Sequence, residues 1–317
     1  MRGSKIGSMG PLVPFSARPQ PRRRCCHTML FRRRTAPRVS VIMPAFNQAR
    51  YCRAAIGSVL GQTLRDLELI IIDDGSTDDT GAIIDATAAR DQRICVVHRR
   101  HAGVSASINL GILLARAENL ARQDADDLSV EHRLETQLAF LENHSNVAVV
   151  GADLLCIAED GRPIRRISYP AGDADLHQEL LRSCPIGHPA TMLRRSMMMK
   201  VGGYRPIFDF AEDYDLWLRV SEHADLANIP MILVHYRVHG ASTTQRHYRQ
   251  QRFRSQVALL AALRRRSGKS DPCGRATVLD DSILDLLEVG ANDRQRMTAP
   301  FAEAMREDAD RKWAEKT

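Results

Sequence analysis

Asn119-Leu120-Ala121-Arg122-Gln123-Asp124-Ala125-Asp126-Asp127 is a short apolar stretch that runs into three carboxylates within four residues. In an extended chain, side chains alternate from face to face. Asp124 and Asp126 are therefore expected on one side, with Asp127 opposite or turned by the following loop. Adjacent carboxylates repel unless a cation lies between them. Hard oxygen ligands suit Mg²⁺ or Mn²⁺, and Mg²⁺ is commonly held by one or two carboxylates plus substrate phosphates. The triplet reads as a metal–diphosphate site. The competing reading is a solvated acidic turn before a helix that begins near Val130.

Working outward, residues 119–122 read as the last of four short strands. Val39-Ser40-Val41-Ile42-Met43 is β-branched and apolar, as a buried parallel strand should be, and Pro44-Ala45-Phe46-Asn47 ends it. Residues 67–72 form a second strand, ended by Asp73-Asp74-Gly75-Ser76, and 94–97 a third. Helices are expected at 54–60, 81–89 and 105–117. Strands alternating with helices imply an α/β fold with a parallel sheet and right-handed crossovers. Ligands of such sheets bind beyond the carboxyl ends of the strands. That places Pro44–Asn47, Asp73–Ser76 and Asp124–Asp126 on one rim.

The order of these motifs, with Gly103-Val104-Ser105 and Asn109-Leu110-Gly111 between them, resembles the family-two glycosyltransferases of GT-A fold. The second half agrees through His188-Pro189-Ala190-Thr191, Val201-Gly202-Gly203-Tyr204, Ala211-Glu212-Asp213-Tyr214-Asp215 and Tyr236-Arg237-Val238-His239. The resemblance covers residues 38 to about 245. It implies a mostly parallel, Rossmann-like sheet flanked by helices, and a metal-dependent, inverting hexosyl transfer from a nucleotide sugar, with a UDP-sugar expected. The acceptor it implies is a saccharide, a lipid-linked saccharide or a protein-linked glycan, as in polysaccharide biosynthesis. Two departures stand out. The helix before the acidic motif lacks the family's usual Gly before Glu118, and Ile108 stands where an Arg is common.

The resemblance also assigns roles. Pro44, Ala45, Phe46 and Asn47 would meet the base and ribose. Asp74 would accept a hydrogen bond from the base, supported by Asp73 and Ser76. Asp124 would lie near ribose and metal, and Asp126 and His239 would bind Mg²⁺ or Mn²⁺. Arg237 would stabilise phosphates. Asp213 would be the general base, with Glu212 beside it; a helix N-terminus favours such acids in any case.

The chain has 317 residues and a formal net charge of +7. Much of the excess lies near the start, where Arg22, Arg23, Arg24, Arg32, Arg33 and Arg34 cluster, so nucleic acid is not an expected partner. Seven scattered cysteines without a C-x-x-C argue against a disulfide framework or structural zinc and suit the cytoplasm. The expected domains are a disordered basic tail at 1–37, a glycosyltransferase domain at 38–245 and a helical extension at 246–317. Within the domain, 38–127 would hold the nucleotide sugar and 128–245 the acceptor. Residues 248–266 read as a basic amphipathic helix with Phe253, Val257, Leu259, Leu260 and Leu263 on its apolar side. It either docks on the domain or gives weak, salt-sensitive contact with the inner face of a membrane. Two other readings of the chain remain: a phosphatase of haloacid-dehalogenase type, suggested by Asp73-Asp74-Gly75-Ser76-Thr77, and a non-catalytic binding module on the same fold.

Overall fold

The computed structural model describes residues 35–240, 248–280 and 282–290. The expected tail up to residue 34 and the end of the extension from 291 lie outside the described residues. The first half alternates β1 (Val39–Ala45), α1 (Cys52–Leu60), β2 (Leu67–Asp73), α2 (Thr80–Ala88), β3 (Ile94–His98), α3 (Val104–Leu114) and β4 (Asn119–Arg122). β1 pairs in parallel with β2 and β4, and β2 with β3. Pro44 lies within β1, past the last β4 pairing at Ile42, so the expected stop at Pro44 comes two residues later. A proline is tolerated where the strand has lost a neighbour.

The second half adds β5 (Leu128–Ser129), α4 (Arg133–Asn143), β6 (Val147–Ile157), β7 (Pro163–Ile167), α5 (Asp173–Glu179), β8 (Met192–Arg194), α6 (Arg195–Val201), α7 (Glu212–Val220) and β9 (Asp225–Arg237). The sheet order is β3-β2-β1-β4-β8-β6-β9-β5, with β7 beside β6. The parallel pattern expected for the sheet holds from β3 to β4. Beyond β4 the pairing is mixed, because β8 runs antiparallel to both β4 and β6.

Alternation divides the core between the two faces of the sheet. Ile42, Ile70 and Ile72 join the cluster under α3 and α7, whereas Val41, Met43, Leu69 and Ile71 join the cluster containing Ile56, Leu134 and Leu138. Each such buried aliphatic contributes about 1.5–3 kcal/mol of transfer free energy. Gly111 lets α3 lie directly on β1: a Cβ there would overlap the Ile42 side chain.

α8 (Tyr248–Arg266) has the span expected from sequence, and its first cluster contacts are on the domain. Its fully buried residues are Val257, Ala258, Ala261 and Ala262, while Leu263 is exposed. Phe253, Leu259 and Leu260 pack against the same cluster, so the expected apolar face holds except at Leu263, and the alanines add small residues that allow close approach. Arg265 pairs with Glu222 and Asp271, and Arg264 with Glu288. The apolar stripe that would have entered a membrane interface is spent on the domain. Residues 268–274 include a short turn at Pro272–Gly274 with Cys273 buried, and α9 (Ser282–Leu286) follows. Among the described residues Cys52, Cys156, Cys184 and Cys273 are free, and Cys95 is disulfide-bonded. Among the described residues no helix is long and apolar enough to cross a membrane.

Candidate active site

The ends of β1, β2, β3 and β4 lie side by side: Ala45 is level with Asp73, Asp73 with His98, and Arg122 with Ile42. The expected rim is therefore present. Asn47, at φ 52°, turns the chain so that its N–H donates to Ser76 Oγ at 3.0 Å. Asp73 accepts from the Ser76 N–H at 3.0 Å and faces His98 Nδ1 at 2.8 Å. Asp74 is buried, and its carboxylate accepts the main-chain N–H groups of Ala102 and Gly103 at 3.1 and 2.9 Å. Pro44 and Ala45 are also buried in β1, which leaves Phe46 as the exposed face, 4.4 Å from the His101 ring centroid. With both aspartates committed to loop hydrogen bonds, neither is free to act as the nucleophile of a dehalogenase-type phosphatase.

The acidic motif differs from the expected extended chain. It is a turn closed by a 3.3 Å hydrogen bond from the Asp127 N–H to the Asp124 carbonyl. The three carboxylates therefore take three environments. Asp124 is ion-paired with Arg122 and remains partly exposed. Asp126 faces His239 Nε2 at 2.9 Å, so two residues 113 positions apart do meet as expected. Asp127 is fully buried and accepts the Arg237 main-chain N–H at 2.7 Å. Burial and its two acidic neighbours push its carboxyl well up. Arg237 donates to the carbonyls of Asp126, Ala158 and Glu159. Its geometry is that of a strap holding the turn.

Beneath the turn is a buried polar layer that sequence reasoning missed. Arg133 donates to the Arg122 carbonyl at 2.7 Å and to Ser129 Oγ at 2.9 Å. Gln123 donates to the carbonyls of Asp124 and Asp127, and Gln137 to those of Val150 and Ala190. Every lone pair and proton used here would cost free energy if left unpaired. The available signal was Arg133 and Gln137 at i and i+4 on the apolar side of a helix that also buries Leu134, Leu138 and Leu141.

α7 starts with the expected acid pair. Glu212 is buried, with its Oε2 unpartnered, and lies 3.7 Å from His188 Nδ1. Asp213 is half-buried; its carboxylate accepts the Tyr214 N–H at 2.7 Å and faces the Cys184 thiol at 3.8 Å. Burial raises both acids, and Asp213 adds to the shift of Glu212. Burial also pulls His188 well below its ordinary range, so it is a neutral ring, hydrogen-bonded to Tyr204 OH at 3.0 Å. Such a pair, poised above the usual carboxylate range, suits proton transfer near neutral pH.

The family model described as "Glycosyl transferase family 2" matches residues 40–202, about half of the chain. The chain belongs to this family. It is an enzyme, a glycosyltransferase. Among curated relatives, the O-antigen biosynthesis glycosyltransferase WbnJ of Escherichia coli is 30% identical over 213 residues, covering 65% of this chain and 81% of that one. The fold is similar to that of S. aureus TarS 1-349, solved in complex with UDP-GlcNAc, at TM-score 0.59 and 16% identity over 81% of this chain and 72% of that one. It is also similar to the mannosyltransferase PcManGT from Pyrobaculum calidifontis, solved with GDP-Man and Mn²⁺, at TM-score 0.54 and 17% identity over 91% of this chain and 85% of that one.

Proposed function

We propose that this family-2 enzyme is a metal-dependent, inverting transferase that moves a hexose from a UDP-sugar to a saccharide, lipid-linked saccharide or protein-linked glycan during polysaccharide assembly. The observation that carries the reading is that Arg122, the ion-pair partner of Asp124 on the acidic turn that also presents Asp126 to His239, lies within electrostatic reach of both α7 acids.

The residues at the rim fit a divalent cation. Among the described residues no cluster of three or more His, Cys, Asp or Glu side chains is arranged to hold one. Asp126 and His239 supply two donors, and a substrate diphosphate completes such a site. A cation held there would supply Lewis-acid neutralisation of charge on the departing diphosphate. Arg122 holds Asp124, and Arg237 holds the backbone of the turn, so that Asp126 keeps its aim. The Asp73–Ser76 loop and the Phe46–His101 face shape the nucleotide side. Asp213 accepts the proton of the acceptor hydroxyl, and a single displacement with inversion needs one such base. Glu212, kept neutral by burial, places no second negative charge beside it.

The test is a screen of nucleotide sugars for thermal stabilisation and turnover with Mn²⁺, Mg²⁺ or excess chelator. UDP-sugars should stabilise the protein and be turned over only with metal. Turnover that persists in chelator removes the metal role. A stabilising GDP-sugar with no response to UDP-sugars moves the donor class.

A further inference from the structure

The segment 206–211 takes no part in the chemistry above, yet it touches both sides of it. At one end, the Asp209 carboxylate accepts the Ser105 N–H at 3.3 Å and fills the space beside Gly103. Gly103, at φ +92°, admits no side chain there, since a Cβ would overlap that carboxylate. The Gly103 N–H is one of the two that clamp Asp74. At the other end, Ala211 leads directly into Glu212 and Asp213. Between them Phe210 has φ +80°. A bulky residue keeps a left-handed conformation only where its surroundings impose it.

The surroundings come from α8. Arg254 Nη1 donates to the Asp209 carbonyl, and its guanidinium carbon lies 5.3 Å from the centroid of the Phe210 ring. α8 lies beyond the residues that the family model matches. We propose that Arg254 is a positioning residue, which by gripping Asp209 and Phe210 fixes the spacing between the nucleotide-side loop and the α7 acid pair. This rests on the glycosyl-transfer reading above. Without the grip, Phe210 relaxes towards negative φ, and the start of α7 shifts with it. Small misplacements of a catalytic group lower turnover steeply.

The experiment compares Arg254→Ala, Arg254→Lys and Arg264→Ala by amide hydrogen exchange and by steady-state transfer. Arg264→Ala is the control, because it removes an ion pair of the same helix with Glu288 and touches neither end of the segment. In Arg254→Ala, exchange at residues 206–213 should rise, and kcat for transfer should fall roughly tenfold or more with the donor KM within about twofold. Arg254→Lys should recover part of the loss, since it restores a cationic donor without the planar fork. Arg264→Ala should leave both readouts close to wild type. Unchanged exchange in Arg254→Ala overturns the grip. Raised exchange with unchanged kcat overturns the positioning role, as does an equal fall in Arg264→Ala. Failure of the wild type to turn over any nucleotide sugar counts against the function reading alone, and the exchange result still decides the grip.

Discussion

On one side of α7, Asp215 lies fully buried between Arg219, 2.7 Å away, and Arg205, whose Nε is 3.0 Å away. At the start of the same helix, Glu212 and Asp213 have no arginine or lysine ion pair among the described residues. Burial acts to raise all three acids. For Asp215 the guanidinium groups overcome it and hold the carboxyl at about 2; for Glu212 and Asp213 nothing does, and both rise. The three lie within four residues. What separates a structural carboxylate from one available for proton transfer is its partners, not its burial. Along the acidic turn the balance differs: Asp124 has a single guanidinium partner, and burial still raises its carboxyl.

The largest expected effect is on Asp213→Asn. A general base contributes about 10²–10⁴ in rate, so kcat should fall by that much while the donor dissociation constant stays put. Equal loss of donor affinity would place Asp213 on the donor side and collapse the contrast. Asp215→Asn should act in the opposite currency. It leaves two buried guanidinium groups short of a charge, which costs about 3–5 kcal/mol in denaturant unfolding. The folded fraction should keep its kcat.

Asp126→Asn should lower metal-dependent turnover by about two orders of magnitude, because charge neutralisation at a metal is worth several kcal/mol. Its melting temperature should match wild type, since Asp126 sits on the rim and not in the core.

pH sharpens the contrast further. Asp213 must be ionised to accept a proton, so kcat/KM should fall as pH drops through about 6. Stability should respond at both ends. The folded pKa of Asp215 is lowered, so its contribution is present above 3.8 and lost as pH falls towards 2. That of Glu212 is raised, so its contribution is full below 4.5 and lost as pH rises through about 8. Asp215→Asn should flatten the acid limb of stability and Glu212→Gln the alkaline one. The smallest effect is reserved for Arg50→Ala. Its pair with Glu159 is exposed on both sides, and its loss should cost no more than about 1 kcal/mol.

Much of this was legible in the chain itself. The strand ends at β1, β2 and β4, the rim they share, the acid pair on the first turn of α7 and the 248–266 span of α8 all follow from local periodicity. Such features depend on neighbours within a few residues, which a sequence displays directly. The alternating reading of Asp124 to Asp127 agrees with the exposure found, since Asp124 and Asp126 are partly exposed and Asp127 is fully buried, but the turn itself was not legible because it is held by contacts with Arg237, 110 positions away. The apolar face of α8 was legible at Phe253, Val257, Leu259 and Leu260, while the burial of Ala258, Ala261 and Ala262 and the exposure of Leu263 were not, because they depend on how closely the helix approaches the domain.

The sequence by itself determined the order of elements, the side of the sheet on which polar groups gather, and which residue types stand there. Only the tertiary structure decided which carboxylate is paired, which is buried without a partner, and which faces the rim. Those outcomes rest on contacts such as Asp126 with His239, Asp127 with Arg237 and Arg254 with Asp209, between residues 113, 110 and 45 positions apart. Charge and solvent exposure respond to distance in space, and distance along the chain does not report it.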